Sequence, residues 1–224
     1  MRIVLRIGGS VVASPLNPDL IRQYVHVLKM LKKQGHEIAV VVGGGSLARE
    51  LIKVAKELKL DEADQDELAI AISRVLAQLL LKKLGRLCGK SVATTVGEAT
   101  EWLHKGKIVV MGGLRPGMTT DAVAALVAER VKADLLVKGT DQEGVYDKDP
   151  RSHPDAVKLD SLKFTDLQGV LAEDQHKAGL HQILDPEAVK VLKRQRIKVV
   201  VVNGFKPENV LAVVRGERVG TLVS

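Results

Sequence analysis

Seven short runs of β-branched and aliphatic residues recur along this 224-residue chain, and several of them are apolar throughout between their end residues. The candidate strands are Arg2–Ile7, Glu37–Val42, Ser91–Thr95, Lys107–Met111, Asp134–Lys138, Ile197–Val202 and a short Gly220–Val223. A strand that is apolar throughout must be covered on both sides, which an exposed antiparallel sheet does not provide. Longer stretches of helical character lie among these runs: Pro18–Gln34, Leu47–Leu58, Asp64–Leu84, Thr120–Lys132, Thr165–Ala172, Pro186–Arg196 and Pro207–Val214. Alternation of this kind predicts an α/β chain, a three-layer αβα sandwich around a mostly parallel central sheet.

Local chemistry fixes some of the boundaries. Asp185-Pro186-Glu187 reads as a capping carboxylate, a proline at the first helical position, and an acid at the positive end of the helix dipole. The helix predicted over Asp64–Leu84 is apolar nearly all round, with Ile70, Ile72, Val75, Leu76, Leu79, Leu80 and Leu81. Such a helix is buried in its own core or against another subunit. No repeat, low-complexity segment or Gly/Ser/Pro linker divides the chain, so residues 1–224 are expected to form one domain. The longest stretch without periodicity, Gly139 to Asp160, follows the end of a predicted strand, where ligands of open α/β sheets collect.

Charge narrows the partners. Lys and Arg number 34 against 27 Asp and Glu, a net charge of +7, which suits an anionic partner. Trp102, two Tyr and two Phe are too few for a base-stacking surface, so nucleic acid is the weaker reading. The lone Cys88 has no partner for an internal disulfide, in keeping with a reducing compartment. The opening Met-Arg-Ile-Val-Leu-Arg-Ile carries charge and runs into glycines, unlike a signal peptide, and no apolar run nears the ~18 residues of a spanning helix. A cytoplasmic chain away from membranes is expected.

Three glycine clusters each follow a predicted strand: Gly8-Gly9-Ser10, Gly43-Gly44-Gly45-Ser46, and Gly112-Gly113 continuing to Gly117. In a parallel sheet these strands end at one edge. Glycine lets backbone N–H groups approach phosphate oxygens with no Cβ in the way, and a following helix adds positive partial charge. One such turn is ordinary, but three on one edge point to a bed for several phosphates. Arg49, one turn into the helix after the second cluster, can hold a phosphate with its fork. Thr119-Thr120-Asp121 opens the next helix, where a hydroxyl caps the helix, binds phosphate, or does both. Lys190, Lys193, Arg194, Arg196 and Lys198 read as a solvated face, with Lys190 also able to reach toward phosphates. Gly85-Arg86-Leu87-Cys88-Gly89-Lys90-Ser91 is not a P-loop, being one residue short and running from helix to strand. The dinucleotide fingerprint fails after Gly45, the six histidines show no metal-ligand spacing, and no nucleophile elbow occurs.

These features together resemble the amino-acid kinase family and, within it, the archaeal uridylate (UMP) kinases. The resemblance runs along nearly the whole chain, from Ile7-Gly8-Gly9-Ser10 to Gly216-Glu217-Arg218-Val219-Gly220-Thr221. It is carried by Val41–Arg49, Met111–Ala125, Gly144–Pro150 and Asp185–Lys190. It implies an ATP:UMP phosphotransferase of pyrimidine nucleotide biosynthesis, using Mg²⁺ with ATP and assembling as a homohexamer, a trimer of dimers. By match of motif it assigns Gly9, Ser10, Gly45 and Arg49 to the ATP phosphates, and Thr140, Asp141, Tyr146 and Asp149 to the ATP nucleoside. It assigns Gly44, Asp66, Leu114, Arg115, Pro116, Gly117, Met118, Thr119 and Thr120 to UMP. Arg49, Arg6 and Lys190 are the expected catalytic cations, and no metal-ligating side chain is assigned. The chain departs from the family pattern in having Arg6 where many members have lysine, Thr140-Asp141-Gln142-Glu143-Gly144 in the ATP loop, and Leu76 where asparagine is common. The rival readings are a kinase of the same fold with another acceptor, such as isopentenyl phosphate, or a non-catalytic nucleotide- or RNA-binding regulator.

Overall fold

The computed structural model describes residues 1–13, 15–167 and 184–224. Strands β1 (Arg2–Ile7), β2 (Glu37–Val42), β3 (Val109–Met111), β4 (Leu135–Thr140), β7 (Ser161–Leu162), β8 (Lys198–Asn203) and β9 (Thr221–Val223) form one sheet in the order β3-β2-β1-β4-β8-β9-β7. From β3 to β8 the pairing is parallel, and β9 runs antiparallel to β8. A separate hairpin pairs β5 (Val145–Tyr146) with β6 (Lys158–Leu159). The three-layer sandwich is therefore present, with two strands at one edge, β9 and β7, running opposite to the rest.

Alternate residues of the central strands feed two cores, as the strand period requires. Ile3, Leu5, Ile7, Ile38, Val40, Val42 and Val137 pack under α2 (Pro18–Lys33), α4 (Glu62–Leu84) and a helix over Glu208–Val214. Val4, Ala39, Val41, Val109, Met111, Leu136 and Val199 pack under α5 (Val96–His104), α6 (Thr120–Val131) and a helix over Pro186–Gln195. The second core is lined by small residues of α6, Ala124, Ala125 and Ala128, so α6 lies close against the sheet. α3 (Gly45–Glu57) buries only Ala48 and Ala55 and rides outside α4.

Caps start the helices where the sequence placed them. The Asn17 side chain accepts from Asp19 and Leu20 N–H ahead of Pro18, and Asp185 accepts from Glu187 and Ala188 N–H ahead of its helix. Two expectations need correction. Ser91–Thr95 is not a strand, making only an isolated bridge from Ala93 to Met111. Thr94 and Thr95 instead open α5: Thr95 Oγ1 accepts from Glu98 N–H, while the Glu98 carboxylate accepts from Thr94 N–H. That reciprocal pair is a capping box, and α5 is a helix the periodicity did not reveal. The stretch Gly139–Asp160 is also not free of regular structure, because it contains β5 and β6. Of the helix expected over Thr165–Ala172, a helical turn begins at Phe164 and everything after Leu167 lies outside the described residues. No helix among the described residues is long and apolar enough to cross a membrane.

The chain builds outward from β1 to β2 and β3, then returns to place β4 on the other side of β1. The crevice of such a sheet opens where the direction reverses, at the C-terminal ends of β1 and β4.

Candidate active site

All three glycine turns lie at that edge, and two are in backbone contact. The Gly8 N–H donates to Gly139 O at 2.9 Å and the Gly43 N–H to Ile7 O at 3.0 Å, tying the end of β1 to both neighbours. A Cβ on Gly9 would collide with the backbone of Gly45, and one on Gly45 with the backbone of Gly9. Gly45 also has φ +64°, in the left-handed region that favours glycine. A Cβ on Gly43 would sit 2.8 Å from Gly9 N and 3.5 Å from Thr120 Oγ1, so the start of α6 meets the other two turns. The first amides of α1 (Gly9–Val12), α3 and α6 thus emerge together at helix starts, where N–H groups lack intrahelical partners.

Around these amides stand three cations. Arg49 is exposed on the first turns of α3, and its guanidinium has no ion pair or hydrogen bond among the described residues. Arg6, from β1, is held below the turns. Its Nη2 donates to Thr120 Oγ1 at 3.1 Å, and its Nε lies 2.7 Å from Asp121 Oδ1 without the alignment of a hydrogen bond. Lys138, from β4, donates to the other oxygen of Asp121 at 2.5 Å and is itself buried. Burial pushes the Asp121 carboxyl upward, but Lys138 and Arg6 together outweigh it and hold the group below the usual carboxylate range. Burial dominates at Lys138 and draws its ammonium below the ordinary lysine value, with Asp121 opposing. Lys138 escaped the sequence reading, since it stands only as a charge directly after the apolar run Leu135–Val137.

The third turn belongs to α4 as much as to the sheet. Ser73 Oγ accepts from Gly113 N–H at 2.7 Å, and Asp66 Oδ2 accepts from Gly117 N–H at 2.7 Å. Gly112 can be nothing larger, since a Cβ would come within 2.7 Å of Arg74 N and Ser73 Oγ. Thr119 caps α6 by accepting from Ala122 N–H. The residues expected at the acceptor, Gly44, Asp66 and the segment Leu114–Thr120, therefore form one neighbourhood, with Gly44 beside Ala69 of α4.

On the other side of β1, Thr140 Oγ1 donates to Asp141 Oδ1, and Arg151 Nη2 donates to Asp141 Oδ2 at 2.5 Å. Asp149 shapes the following turn by accepting from Arg151 N–H, and Tyr146 sits in the hairpin. The hairpin is anchored by Val145 N–H donating to Thr221 Oγ1 at 2.8 Å. Lys190 is exposed and donates to Glu187 at 2.6 Å on the solvent face of its helix. Its partner among the described residues is that glutamate rather than a glycine turn. Cys88 is buried, and burial pushes its thiol up to about 12, far from a reactive thiolate. No group of three or more His, Cys, Asp or Glu among the described residues could cage a metal ion.

An αβα sandwich with amide-rich turns at the switch point defines a protein that binds phosphorylated ligands and positions them beside cations. The chain belongs to the amino acid kinase family, whose model matches residues 1–203. It is 44% identical to a uridylate kinase of Methanocaldococcus jannaschii, covering 100% of this chain and 99% of that one. It is 43% identical to a uridylate kinase of Halorubrum lacusprofundi, over 99% and 92% of the two. Among solved structures, uridylate kinase from Archaeoglobus fulgidus superposes with a TM-score of 0.88 at 39% identity, covering 100% of both chains.

Proposed function

We propose that this chain transfers the γ-phosphoryl group of ATP to UMP, giving UDP and ADP. The observation that carries this reading is the backbone contact between the Gly8-Gly9 and Gly43–Gly45 turns, with the acceptor segment bound to α4 alongside. Two phosphate-bearing ligands laid across this edge would meet over the Gly9–Gly45 contact.

Phosphoryl transfer asks a protein for alignment and for positive charge around the transferring group. The UMP phosphate oxygens are already anionic at neutral pH, so no general base is required. ATP lies over β1 and β4, its phosphates on the amides of Gly9, Ser10 and Gly45 and its nucleoside toward Thr140, Asp141, Tyr146 and Asp149. UMP lies over β2 and β3, between Gly44, Asp66 and the Leu114–Thr120 segment. Arg49, free of other partners among the described residues, swings onto the transferring group. Arg6 supplies fixed charge from below, with Asp121 and Lys138 holding its orientation.

Mg²⁺ would be carried by the nucleotide. The donor set suits this, since Mg²⁺ at such sites takes phosphate oxygens and water with few protein ligands, and it would neutralise charge on the phosphates. Copies of the chain associate through the outer side of α3 and α4, where Val54, Leu58, Val75 and Leu79 are 42–67% exposed. Large exposed apolar patches mark contact surfaces, and a homohexamer in the cytoplasm is the assembly in keeping with this reading.

An acceptor panel with labelled ATP tests the assignment. UMP is expected to be phosphorylated with kcat/KM at least about tenfold above any other nucleoside monophosphate. Preference for isopentenyl phosphate, or no turnover with steeply salt-dependent RNA binding, would overturn it.

A further inference from the structure

We propose that Arg74 is a positioning residue for the acceptor phosphate: its guanidinium fork fixes two peptide planes so that their N–H groups face the phosphate of UMP. The proposal rests on the acceptor reading above and adds the device that orients its backbone donors. Arg74 lies on α4 next to Ser73. Its Nε donates to Gly113 O and its Nη2 to Leu114 O, both at 3.0 Å. Ser73 fixes the preceding plane by accepting from Gly113 N–H, while its hydroxyl donates to Ile70 O.

A trans peptide points its N–H opposite to its C=O. Drawing the Gly113 and Leu114 carbonyls toward α4 therefore turns the N–H groups of Leu114 and Arg115 away from that helix. Neither N–H donates to another described residue. The next amide, Gly117, faces back and is taken by Asp66, and Pro116 between them has none. Two successive free donors on one side of a loop form an anion-binding concavity. Without Arg74, both planes could rotate and offer carbonyl oxygens to the same phosphate. Lysine keeps the charge but lacks the rigid planar fork that holds two carbonyls in fixed directions.

The test compares binding of UMP with binding of uridine, which lacks the phosphate, in the parent chain, Arg74→Met and Arg74→Lys. The ratio of uridine Kd to UMP Kd is expected to fall at least about tenfold in both variants, with uridine affinity and the KM for ATP within about twofold of the parent. A folded variant that keeps the parent ratio would overturn the proposal. Retention in Arg74→Lys alone would do so as well, because charge rather than peptide orientation would then be at work. Should Arg74→Met fail to fold, Arg74→Lys decides. A parent chain that binds uridine and UMP equally would sink the acceptor reading itself.

Discussion

Arg49 and Asp121 are held in opposite ways beside the proposed phosphate site. Arg49 is exposed and unpaired among the described residues, so its removal costs the fold little. Arg49→Ala is expected to keep the parent melting temperature while kcat/KM for UMP falls by roughly 10²-fold, as loss of a charge-assisted contact in the transition state implies. A value within twofold of the parent would remove Arg49 from the site. Asp121 instead answers two cations at once, the buried Lys138 and the half-buried Arg6. Asp121→Asn leaves those cations facing each other and should destabilise the fold by about 3–5 kcal/mol at pH 7, read by urea unfolding. Because the folded pKa of Asp121 lies below its unfolded value, the stabilisation is present above about pH 4 and is lost as pH falls through the folded value. The variant should lack that part of the acid dependence. Arg49 was singled out in the sequence by its place after a glycine cluster, and in the structure it is exposed at the start of α3. Lys138 was not, since one lysine at the end of an apolar strand looks the same whether it meets solvent or a carboxylate across the sheet.

At the scale of elements, β1 and β2 match their sequence limits, because their aliphatic stretches Ile3–Leu5 and Ile38–Val42 need cover on both faces. α5 and the segment before it do not. Ser91–Thr95 has the β-branched residues of a strand, but its two threonines are spent on the reciprocal cap with Glu98. Thr95→Ala should lower stability by about 1 kcal/mol, the usual cost of losing an N-cap. Thermal unfolding would register this, while kcat/KM stays within twofold, since the Thr95 hydroxyl bonds Glu98 N–H and no amide of a glycine turn. The acceptor segment shows how an element acquires function from a neighbour. Its residues follow β3, yet its conformation is set by Asp66, Ser73 and Arg74 of α4, some forty residues earlier in the chain.

Across the whole molecule, α4 joins two surfaces. Its inner side, Leu76, Leu80, Leu81 and Leu84, belongs to the core, and its outer side leaves Val75 and Leu79 54% and 42% exposed. The double substitution Val75→Glu/Leu79→Glu should therefore shift the chain to smaller assemblies in sedimentation without unfolding the isolated subunit. Unchanged assembly would place the contact surface elsewhere. Because the same helix carries the acceptor segment, a change of assembly would also be expected to alter the KM for UMP more than the KM for ATP.

The sequence by itself determined the layered α/β architecture, the sheet edge at which ligands collect, and the glycines that line it. Each depends on local pattern: strand period, helix period, and the freedom of a residue without a Cβ. Tertiary structure alone decided which amides remain open, which cations share one carboxylate, and which helix holds the Leu114–Thr120 segment. Those outcomes depend on contacts between residues distant in the chain, such as Arg6 with Asp121, Lys138 with Asp121, and Arg74 with Gly113. No local pattern encodes such pairs, because each residue's partner is fixed only when the sheet closes around β1.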